Sequence, residues 1–337
     1  MQSSAGTVEE YLAGLAEDRR AAIAAVRQAA RLCEAVRLEM VPAAIEKSDK
    51  SPVTVADFGA QAVICRALAL AFPQDPVVGE EDGADLRQPE MARVLATVTA
   101  QVGRQVADST PDQVLQWIDH GNGDVAPRYW TLDPIDGTKG FLRGDQYAIA
   151  LALVEEGDLK VGVLGCPYLS FDGGDRGLLL VAVRGQGAVI MPLFEVGPAQ
   201  PLRVSDGTEG SRYRFVESVE SGHGNQTEHA AIATAVGITT PSLRMDSQAK
   251  YAAVAAGQAV LYLRLPSPKT PDYREKIWDH AAGTLVVQEA GGRVTDMEGR
   301  PLDFSRAARF IDNRGVIVSN GLLHDRVLAA LNAHPAG

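Results

Sequence analysis

The sequence predicts a mixed fold in which an α+β part is followed by an α/β part. Apolar residues recur at helical spacing through the first part of the chain, and short β-rich runs separated by tight turns follow between 129 and 183. Beyond about residue 210, helical and strand-like segments alternate, which is typical of an α/β arrangement. Residues 198–210 are rich in Pro, Gly and Ser. We therefore predict an N-terminal α+β domain over 1–200 and a C-terminal α/β domain over 201–337.

Two helices are predicted at the N-terminal end. Thr7 and Glu10 have the spacing of a capping box, and the apolar face that follows is expected to be core. A second helix is predicted to begin close to Asp57 and to end before Pro73, so Asp57 lies in or just before its first turn. The two apolar faces consist of Ile23, Val26, Ala30 and Cys33 in the first helix and of Val63, Ile64, Ala67 and Leu68 in the second.

The middle of the chain is predicted to be β-rich. Val77 and Val78 indicate a short strand that ends before Glu80 and Glu81, whereas residues 83–128 are polar and weakly patterned and are interpreted as a variable surface region. Four later runs predict neighbouring strands of an antiparallel sheet. These runs are 129–132, 147–154, 161–164 and 178–183.

The C-terminal part alternates between the two kinds of element. Helices are predicted near 228–236, 248–256, 278–290 and 322–331, and strands over 259–265, 293–295 and 316–318. No internal repeat and no low-complexity tract interrupts this pattern.

Charge and composition exclude several classes of protein. The 337 residues include 43 acidic and 32 basic side chains, giving a net charge of −11 and a pI near 5.1, with 46% hydrophobic residues. Such a chain has enough apolar residues for a packed core. Its charge repels nucleic-acid polymers and anionic membranes, so neither is expected as a partner. The same repulsion does not exclude a phosphorylated small molecule, because bound metal ions would offset it locally. We expect a monomer.

Cysteine usage and the N-terminus predict a reducing compartment. Cys33, Cys65 and Cys166 are few, odd in number and far apart, which argues against a disulfide scaffold or a zinc ribbon. No apolar run is long enough to span a membrane, and the first ten residues resemble neither a signal nor a transit peptide. The cytoplasm is the expected location, with a chloroplast or mitochondrion open if a transit peptide has been removed.

The candidate chemistry is acidic. The chain has no Walker phosphate loop, dinucleotide fingerprint, zinc-protease motif or serine elbow, and its histidines show no ligand spacing. Asp133 and Asp136 lie on a turn of sequence Asp-Pro-Ile-Asp-Gly-Thr that follows a predicted strand, so the two carboxylates can face one point. The alternative is an Asx-rich turn with a helix cap. Carboxylates without His or Cys favour Mg²⁺ over Zn²⁺.

Further acids occur in short elements along the chain. In order, the elements are Asp57, Glu80-Glu81, the Asp133 to Thr138 turn, Trp278-Asp279 and Gly291-Gly292. Singly, each acid is more often a solvated or capping residue. Together the elements are similar to the signature of the Mg²⁺-dependent, lithium-sensitive phosphatases of the inositol monophosphatase superfamily. Lys139-Gly140-Phe141 stands where inositol monophosphatases usually carry Thr-Asn-Phe, and the chain most resembles the fungal and plant nucleotidase branch.

The resemblance implies a fold and a metal centre. The fold is a layered αβαβα sandwich of the inositol monophosphatase/fructose-1,6-bisphosphatase type. One Mg²⁺ would be held by Glu80, Asp133 and the Ile135 carbonyl, a second by Asp133, Asp136 and Asp279, and a third is expected between Asp57 and Glu80. For Glu81, direct ligation, support of a ligand and a salt bridge stay open.

It also implies catalytic and substrate-binding residues. The Thr138 hydroxyl, paired with Asp57, would orient and deprotonate a water molecule. The alternative is that Thr138 only caps a helix, and both roles can hold together, because the N–H groups of Gly137 and Thr138 would then point at the phosphate. Substrate contacts are expected from Asp136, Gly137, Thr138, His223, Ser247, Lys250, Arg264 and Asp279. Lys250 and Arg264 suit a second phosphate. The alternatives are a surface charge for Lys250 and a satisfied polar residue for His223.

The implied activity is removal of the 3′-phosphate of 3′-phosphoadenosine 5′-phosphate, giving AMP, and of the corresponding 5′-phosphosulfate. The nearest alternative is an inositol polyphosphate 1-phosphatase or inositol monophosphatase that uses the same metals. A nucleotide-binding sensor without turnover is the alternative from another class. A complete set of mutually repelling acids argues against the sensor, because such repulsion has no structural use.

Overall fold

The computed structural model describes residues 16–39, 44–46, 52–195, 197–207, 210–219, 226–267, 270 and 272–333. Its helices are α1 (Glu17–Glu39), α2 (Val55–Ala71), α3 (Ala92–Gly103), α4 (Pro111–Asp119), α5 (Thr138–Arg143), α6 (Gln226–Ala235), α7 (Ala249–Ala255), α8 (Ala281–Glu289) and α9 (His324–Ala333). Its strands are β1 (Ile45–Glu46), β2 (Pro52–Val53), β3 (Val77–Gly79), β4 (Arg128–Asp136), β5 (Ala148–Glu155), β6 (Asp158–Cys166), β7 (Leu178–Val183), β8 (Gly187–Pro192), β9 (Gln200–Pro201), β10 (Arg214–Glu217), β11 (Thr240–Arg244), β12 (Leu261–Arg264), β13 (Arg293–Thr295) and β14 (Val316–Ser319).

The first two layers consist of α1 and α2 on a seven-stranded sheet of order β3-β4-β5-β6-β7-β8-β9. Strand β3 runs parallel to β4, and the remaining neighbours are antiparallel. The four predicted β-rich runs correspond to β4–β7, whereas β8 and β9 were not predicted. The predicted apolar face of α1 is buried, with Ile23 and Cys33 at most 1% exposed. The predicted start of this helix at Thr7 lies outside the described residues.

The region 83–128 differs from its prediction as a variable surface. It contains α3 and α4, which pack against α2 and bury Val98, Val102 and Val114. Helix α4 begins with a capping box in which Thr110 and Gln113 exchange backbone-to-side-chain hydrogen bonds. That Thr-Pro-Asp-Gln spacing is visible in the sequence, so the helix was predictable.

The remaining three layers complete an αβαβα sandwich, which confirms the predicted fold class. Helices α7 and α8 lie between the first sheet and a five-stranded sheet of order β11-β10-β12-β14-β13. Helices α6 and α9 cover the far face of that second sheet. Alanines and glycines line the central helices, because helices covered on both faces need small residues for close approach to the sheets. Gly162 on β6 shows this: an added Cβ would lie 2.9 Å from the Ala282 carbonyl oxygen.

The second sheet was only partly predicted. Its strands β12, β13 and β14 follow the prediction, but β10 and β11 were missed because Arg and Glu or Pro and Ser break the alternation of apolar residues. Strand β9 of the first sheet ends at Pro201 and β10 of the second begins at Arg214, and the division into two domains between them stays a prediction. Among the described residues, no helix combines the length and apolar character needed to cross a membrane.

Candidate active site

A cavity of about 210 Å³ lies where the ends of β3 and β4 meet α7 and the turn before α8. Carboxylates and cations share its lining. The lining includes the predicted residues Glu80, Asp133, Ile135, Asp136, Gly137, Thr138, Ser247, Lys250, Arg264 and Asp279. The structure thus brings ten of the predicted site residues together, although they are spread over two hundred positions of the sequence. His223 lies outside the described residues.

A bulge in β4 aims its two aspartates into this cavity. Asp133 is opposite Ala150 and Asp136 is opposite Ala148, so β4 advances three residues while β5 advances two. The prediction that Asp133 follows the end of the strand was therefore wrong, because the ladder continues to Asp136 through the irregularity. The Ile135 N–H donates to Asp133 Oδ1 across 3.1 Å and fixes that carboxylate.

Gly137 turns the chain from β4 into α5. Its φ of +86° lies in the left-handed region, where a side chain would be strained, and an added Cβ would lie 3.0 Å from Ser247 Cβ. Ser247 itself has φ +64° and is 7% exposed. The two turns therefore pack tightly and hold β4 and α7 in contact.

The electrostatics of the acids indicate a site for positive ions. Burial, followed by the charges of Glu80, Asp136 and Asp279, raises the pKa of Asp133 well above its ordinary value. Burial also raises the pKa of Asp279 strongly, with repulsion from Asp136 as the next cause. The pKa of Asp136 is raised by burial despite the opposing effects of Lys250 and the Gln248 N–H. Four carboxylates that repel one another in a partly buried cavity are costly unless cations bind among them.

Asp57 lies behind Thr138 instead of on the cavity surface. It is 1% exposed and occupies the third position of α2, where its Oδ2 accepts hydrogen bonds from the Thr54 N–H at 2.8 Å and the Thr54 hydroxyl at 2.5 Å. Its Oδ1 lies 3.3 Å from Thr138 Oγ1, which is also 3.2 Å from the Ile135 carbonyl oxygen. The N-cap of α5 is Gly137, which has no side chain to cap the helix, and Thr138 is the first helical residue. The catalytic role of Thr138 stays a prediction.

Glu81 is buried beside the cavity rather than in its lining. Its backbone N–H donates to Gln61 Oε1 across 2.9 Å, and its carbonyl oxygen accepts from Gln61 Nε2. Gln61 on α2 thereby holds the segment that presents Glu80. A buried Gln that bonds the backbone of an acidic turn gives no distinctive sequence signal, and this residue was not predicted.

Two basic side chains, those of Lys250 and Arg264, line the same cavity. Lys250 is 4% exposed, so its alternative interpretation as a surface charge was wrong. Burial lowers its pKa to about 8, against the opposing attraction of Asp136, and its Nζ lies 5.2 Å from the centroid of the Tyr262 ring. Arg264 donates from Nε to Glu275 Oε1 across 3.0 Å. Although burial would raise it, Arg264 and His280 hold the pKa of Glu275 at about 2.

Three further residues were missed by sequence reasoning. Gln248, Glu275 and His280 all line the cavity and are at most 7% exposed. Glu275 and His280 flank Asp279 in the run Glu-Lys-Ile-Trp-Asp-His, so their position beside a predicted ligand was a usable signal. For Gln248 only its position between Ser247 and Lys250 pointed to the site.

The donor set fits Mg²⁺. Glu80, Asp133, Asp136, Asp279 and the Ile135 carbonyl offer only oxygen atoms, which hard divalent cations prefer. The mutual repulsion of the acids is the second sign of such a site. Glu275, Asp279 and His280 also have ligand atoms within 4.8 Å of one another, but both oxygens of Glu275 already accept hydrogen bonds from Arg264 and His280.

Comparison with known proteins identifies the family. The sequence profile described as Inositol monophosphatase family matches residues 15–336. A 3′(2′),5′-bisphosphate nucleotidase of Emericella nidulans is 42% identical over an alignment of 343 residues, which covers 93% of this chain and 97% of the relative. That of Oryza sativa is 42% identical and covers 98% and 96%. Among solved structures, the IMPase of Thermotoga maritima has a TM-score of 0.64 at 24% identity, covering 92% of this chain and 95% of its own.

These matches extend over the whole described fold and include the residues of the acidic cavity. They cover all five layers of the sandwich and every described site residue, from Asp57 to Asp279. The chain belongs to the inositol monophosphatase family.

Proposed function

We propose that the protein is a Mg²⁺-dependent phosphatase that removes the 3′-phosphate of 3′-phosphoadenosine 5′-phosphate, giving AMP, and also acts on the 5′-phosphosulfate analogue. One observation carries the proposal: a single cavity contains an acidic cluster around the buried Asp133, next to the cationic side chains of Lys250 and Arg264. The acids suit metal-assisted attack on one phosphate, and the cations suit a second anionic group on the same molecule.

The acidic end of the cavity would carry the chemistry. Glu80, Asp133 and the Ile135 carbonyl would hold one Mg²⁺, Asp133, Asp136 and Asp279 a second, and Asp57 with Glu80 a third. Bound there, the ions supply positive charge that neutralises the phosphate and acidifies water. The family is metal-dependent and generally uses Mg²⁺, which supports the choice of ion.

The chain's own contribution to the attack would come from Thr138. Its hydroxyl hydrogen is directed to Asp57 Oδ1 or to the Ile135 carbonyl, so the lone pairs of Oγ1 are left to accept a hydrogen bond from water. Asp57 is fixed in turn by Thr54. A water held in this way would be oriented toward the phosphorus, and the ester oxygen would leave on the opposite side.

The cationic end would select the substrate. Lys250 and Arg264 would bind the 5′-phosphate, and Ser247 and His223 are proposed to contact the nucleoside. The relatives named as 3′(2′),5′-bisphosphate nucleotidases support this choice of substrate.

Phosphate release with Mg²⁺ from three substrates compared side by side tests the proposal. The substrates are 3′-phosphoadenosine 5′-phosphate, inositol 1-phosphate and inositol 1,4-bisphosphate. We expect kcat/KM to be at least tenfold higher for the nucleotide. A preference for either inositol phosphate would contradict the nucleotidase assignment and support the alternative of an inositol phosphate phosphatase.

A further inference from the structure

We infer that Glu275 is a positioning residue that orients Arg264 toward the second phosphate and thereby sets the preference for bisphosphorylated over monophosphorylated nucleotides. This inference rests on the proposed function, because it concerns the substrate group that Arg264 would bind. It adds a determinant of specificity that belongs to neither the acidic cluster nor the two cations themselves.

The first step is the ion pair. Arg264 is the last residue of β12, and its side chain is 18% exposed and lines the cavity. Its Nε donates to Glu275 Oε1 across 3.0 Å, and among the described residues Glu275 is the only hydrogen-bond partner of the guanidinium group. With Nε occupied, the planar guanidinium has a defined orientation, and its two terminal nitrogens are left for an anion. Two such N–H groups match two oxygens of one phosphate.

The second step is the support of Glu275 from behind. Its Oε2 lies 3.4 Å from His280 Nε2, and His280 Nδ1 lies 2.6 Å from the Tyr251 hydroxyl oxygen. Burial raises the pKa of Tyr251 well above its ordinary value, so the hydroxyl stays protonated and can donate to Nδ1. When Nδ1 accepts from Tyr251, the imidazole N–H hydrogen of His280 is on Nε2, which faces Glu275 Oε2. The carboxylate is thus held from both sides.

The third step is the rigidity of the elements that carry these hydrogen-bonded side chains. The Glu275 carbonyl accepts from the Phe310 N–H at 3.0 Å, and the Ile277 N–H donates to the Ala308 carbonyl at 3.1 Å. The Tyr251 ring packs edge-on against Tyr262 with centroids 5.5 Å apart. Each member therefore belongs to a fixed part of the core, so a shift of Glu275 is opposed by backbone bonds as well as by its side-chain partners.

A metal site at Glu275, Asp279 and His280 is the competing explanation for the same cluster. Metal binding through the facing atoms Glu275 Oε2 and His280 Nε2 would break the hydrogen bond between these two residues. It would also place a cation next to the Arg264 guanidinium, which repels it. The observed bonds favour positioning, and the two explanations predict different effects of one substitution.

The test compares Glu275→Gln with the wild type on two substrates at saturating Mg²⁺. The substrates are 3′-phosphoadenosine 5′-phosphate and adenosine 3′-monophosphate, which lacks the second phosphate. We expect the ratio of their kcat/KM values to fall about tenfold, through KM for the bisphosphate, with the monophosphate changed less than threefold. Tyr251→Phe should lower the ratio in the same direction by about threefold. Glu155→Gln, which breaks an Arg ion pair at the far end of β5, is the matched control and should leave the ratio unchanged.

Each other outcome is decisive. A wild type without preference for the bisphosphate would overturn the proposed function. A wild-type preference that Glu275→Gln retains would overturn the inference and leave the proposed function standing. Equal losses on both substrates with a raised Mg²⁺ requirement would overturn it in favour of the metal site. If Glu275→Gln does not fold, an unchanged ratio in Tyr251→Phe is the contradicting result.

Discussion

The backbone N–H of Gln248 donates to Asp136 Oδ2 across 2.5 Å, which joins the start of α7 to the end of β4. The Gln248 side chain extends this connection: Nε2 donates to the Trp278 carbonyl at 2.9 Å, and Oε1 accepts from the Gly283 N–H at 3.0 Å. This residue is 1% exposed and thus connects β4 of the first sheet with α8 and with the turn that carries Asp279.

Replacing Gln248 with Leu should destabilise the protein. The substitution leaves the Trp278 carbonyl and the Gly283 N–H buried without their partner, at about 1–3 kcal/mol each. We expect the free energy of unfolding in urea to fall by about 2–4 kcal/mol and kcat to fall as the Asp279 turn loosens. Gln116→Leu on the exposed face of α4 is the control, with an expected change within about 0.5 kcal/mol. A stability loss without any change in kcat would show that the bridge does not position Asp279.

Asp133→Asn should have opposite effects on activity and on the stability of the metal-free protein. Because the buried, repelled carboxylate has a raised pKa, its neutralisation should raise the free energy of unfolding of the metal-free protein near neutral pH. Removal of a shared ligand should lower kcat/KM about a thousandfold, which corresponds to ~4 kcal/mol. Activity is followed by phosphate release and stability by urea unfolding in EDTA. Unchanged activity would contradict the two-metal account, and Asp112→Asn on the exposed start of α4 serves as the control.

Thr138→Ala should affect turnover more than binding. The substitution removes the hydroxyl between Asp57 and the Ile135 carbonyl, so we expect kcat to fall about a hundredfold with KM changed less than threefold. Thr138→Ser keeps the hydroxyl and should recover most of the rate. Equal losses in the two variants would mean that the methyl group, and thus packing, accounts for the effect.

Lys250→Met should weaken binding of the second phosphate. Met keeps the apolar length of the side chain and removes its charge, so KM for 3′-phosphoadenosine 5′-phosphate should rise about tenfold. Adenosine 3′-monophosphate should be hydrolysed within about threefold of the wild-type kcat/KM. The half-exposed Lys160 provides the control variant Lys160→Met. A similar loss on both substrates would place Lys250 at the scissile phosphate instead.

His324 should make stability depend on pH. It is fully buried between Thr295 and Ser319, and burial lowers its pKa to about 4, whereas an unfolded chain has a His pKa near 6.5. Between these values the unfolded state binds more protons, so stability rises with pH and is lost as pH falls through that window. We expect roughly 2 kcal/mol of the change in unfolding free energy between pH 5 and pH 7 to disappear in His324→Gln. An unchanged pH dependence, measured by urea unfolding, would contradict this assignment.

The sequence pointed to the cavity most directly where chemistry-bearing residues are concentrated in short motifs. Asp133 and Asp136 share one turn, whereas Thr138 and Asp279 were indicated through the family resemblance, and their roles stay predictions. The region of α3 and α4 was misinterpreted, because its apolar residues are diluted by polar ones and only the capping box at Thr110 indicated a helix.

The sequence by itself determined the class of protein: periodicity and turn residues predicted an α+β part followed by an α/β part, the acid-rich motifs predicted an oxygen-donor metal site, and the family resemblance implied the layered sandwich. Only the tertiary structure decided which side chains support that site. Gln248 and Glu275 act through hydrogen bonds to groups contributed by other elements, and the burial of Lys250 depends on two sheets closing over α7. Such contacts join residues distant in the chain, whereas local patterns record only the conformation and exposure of neighbours.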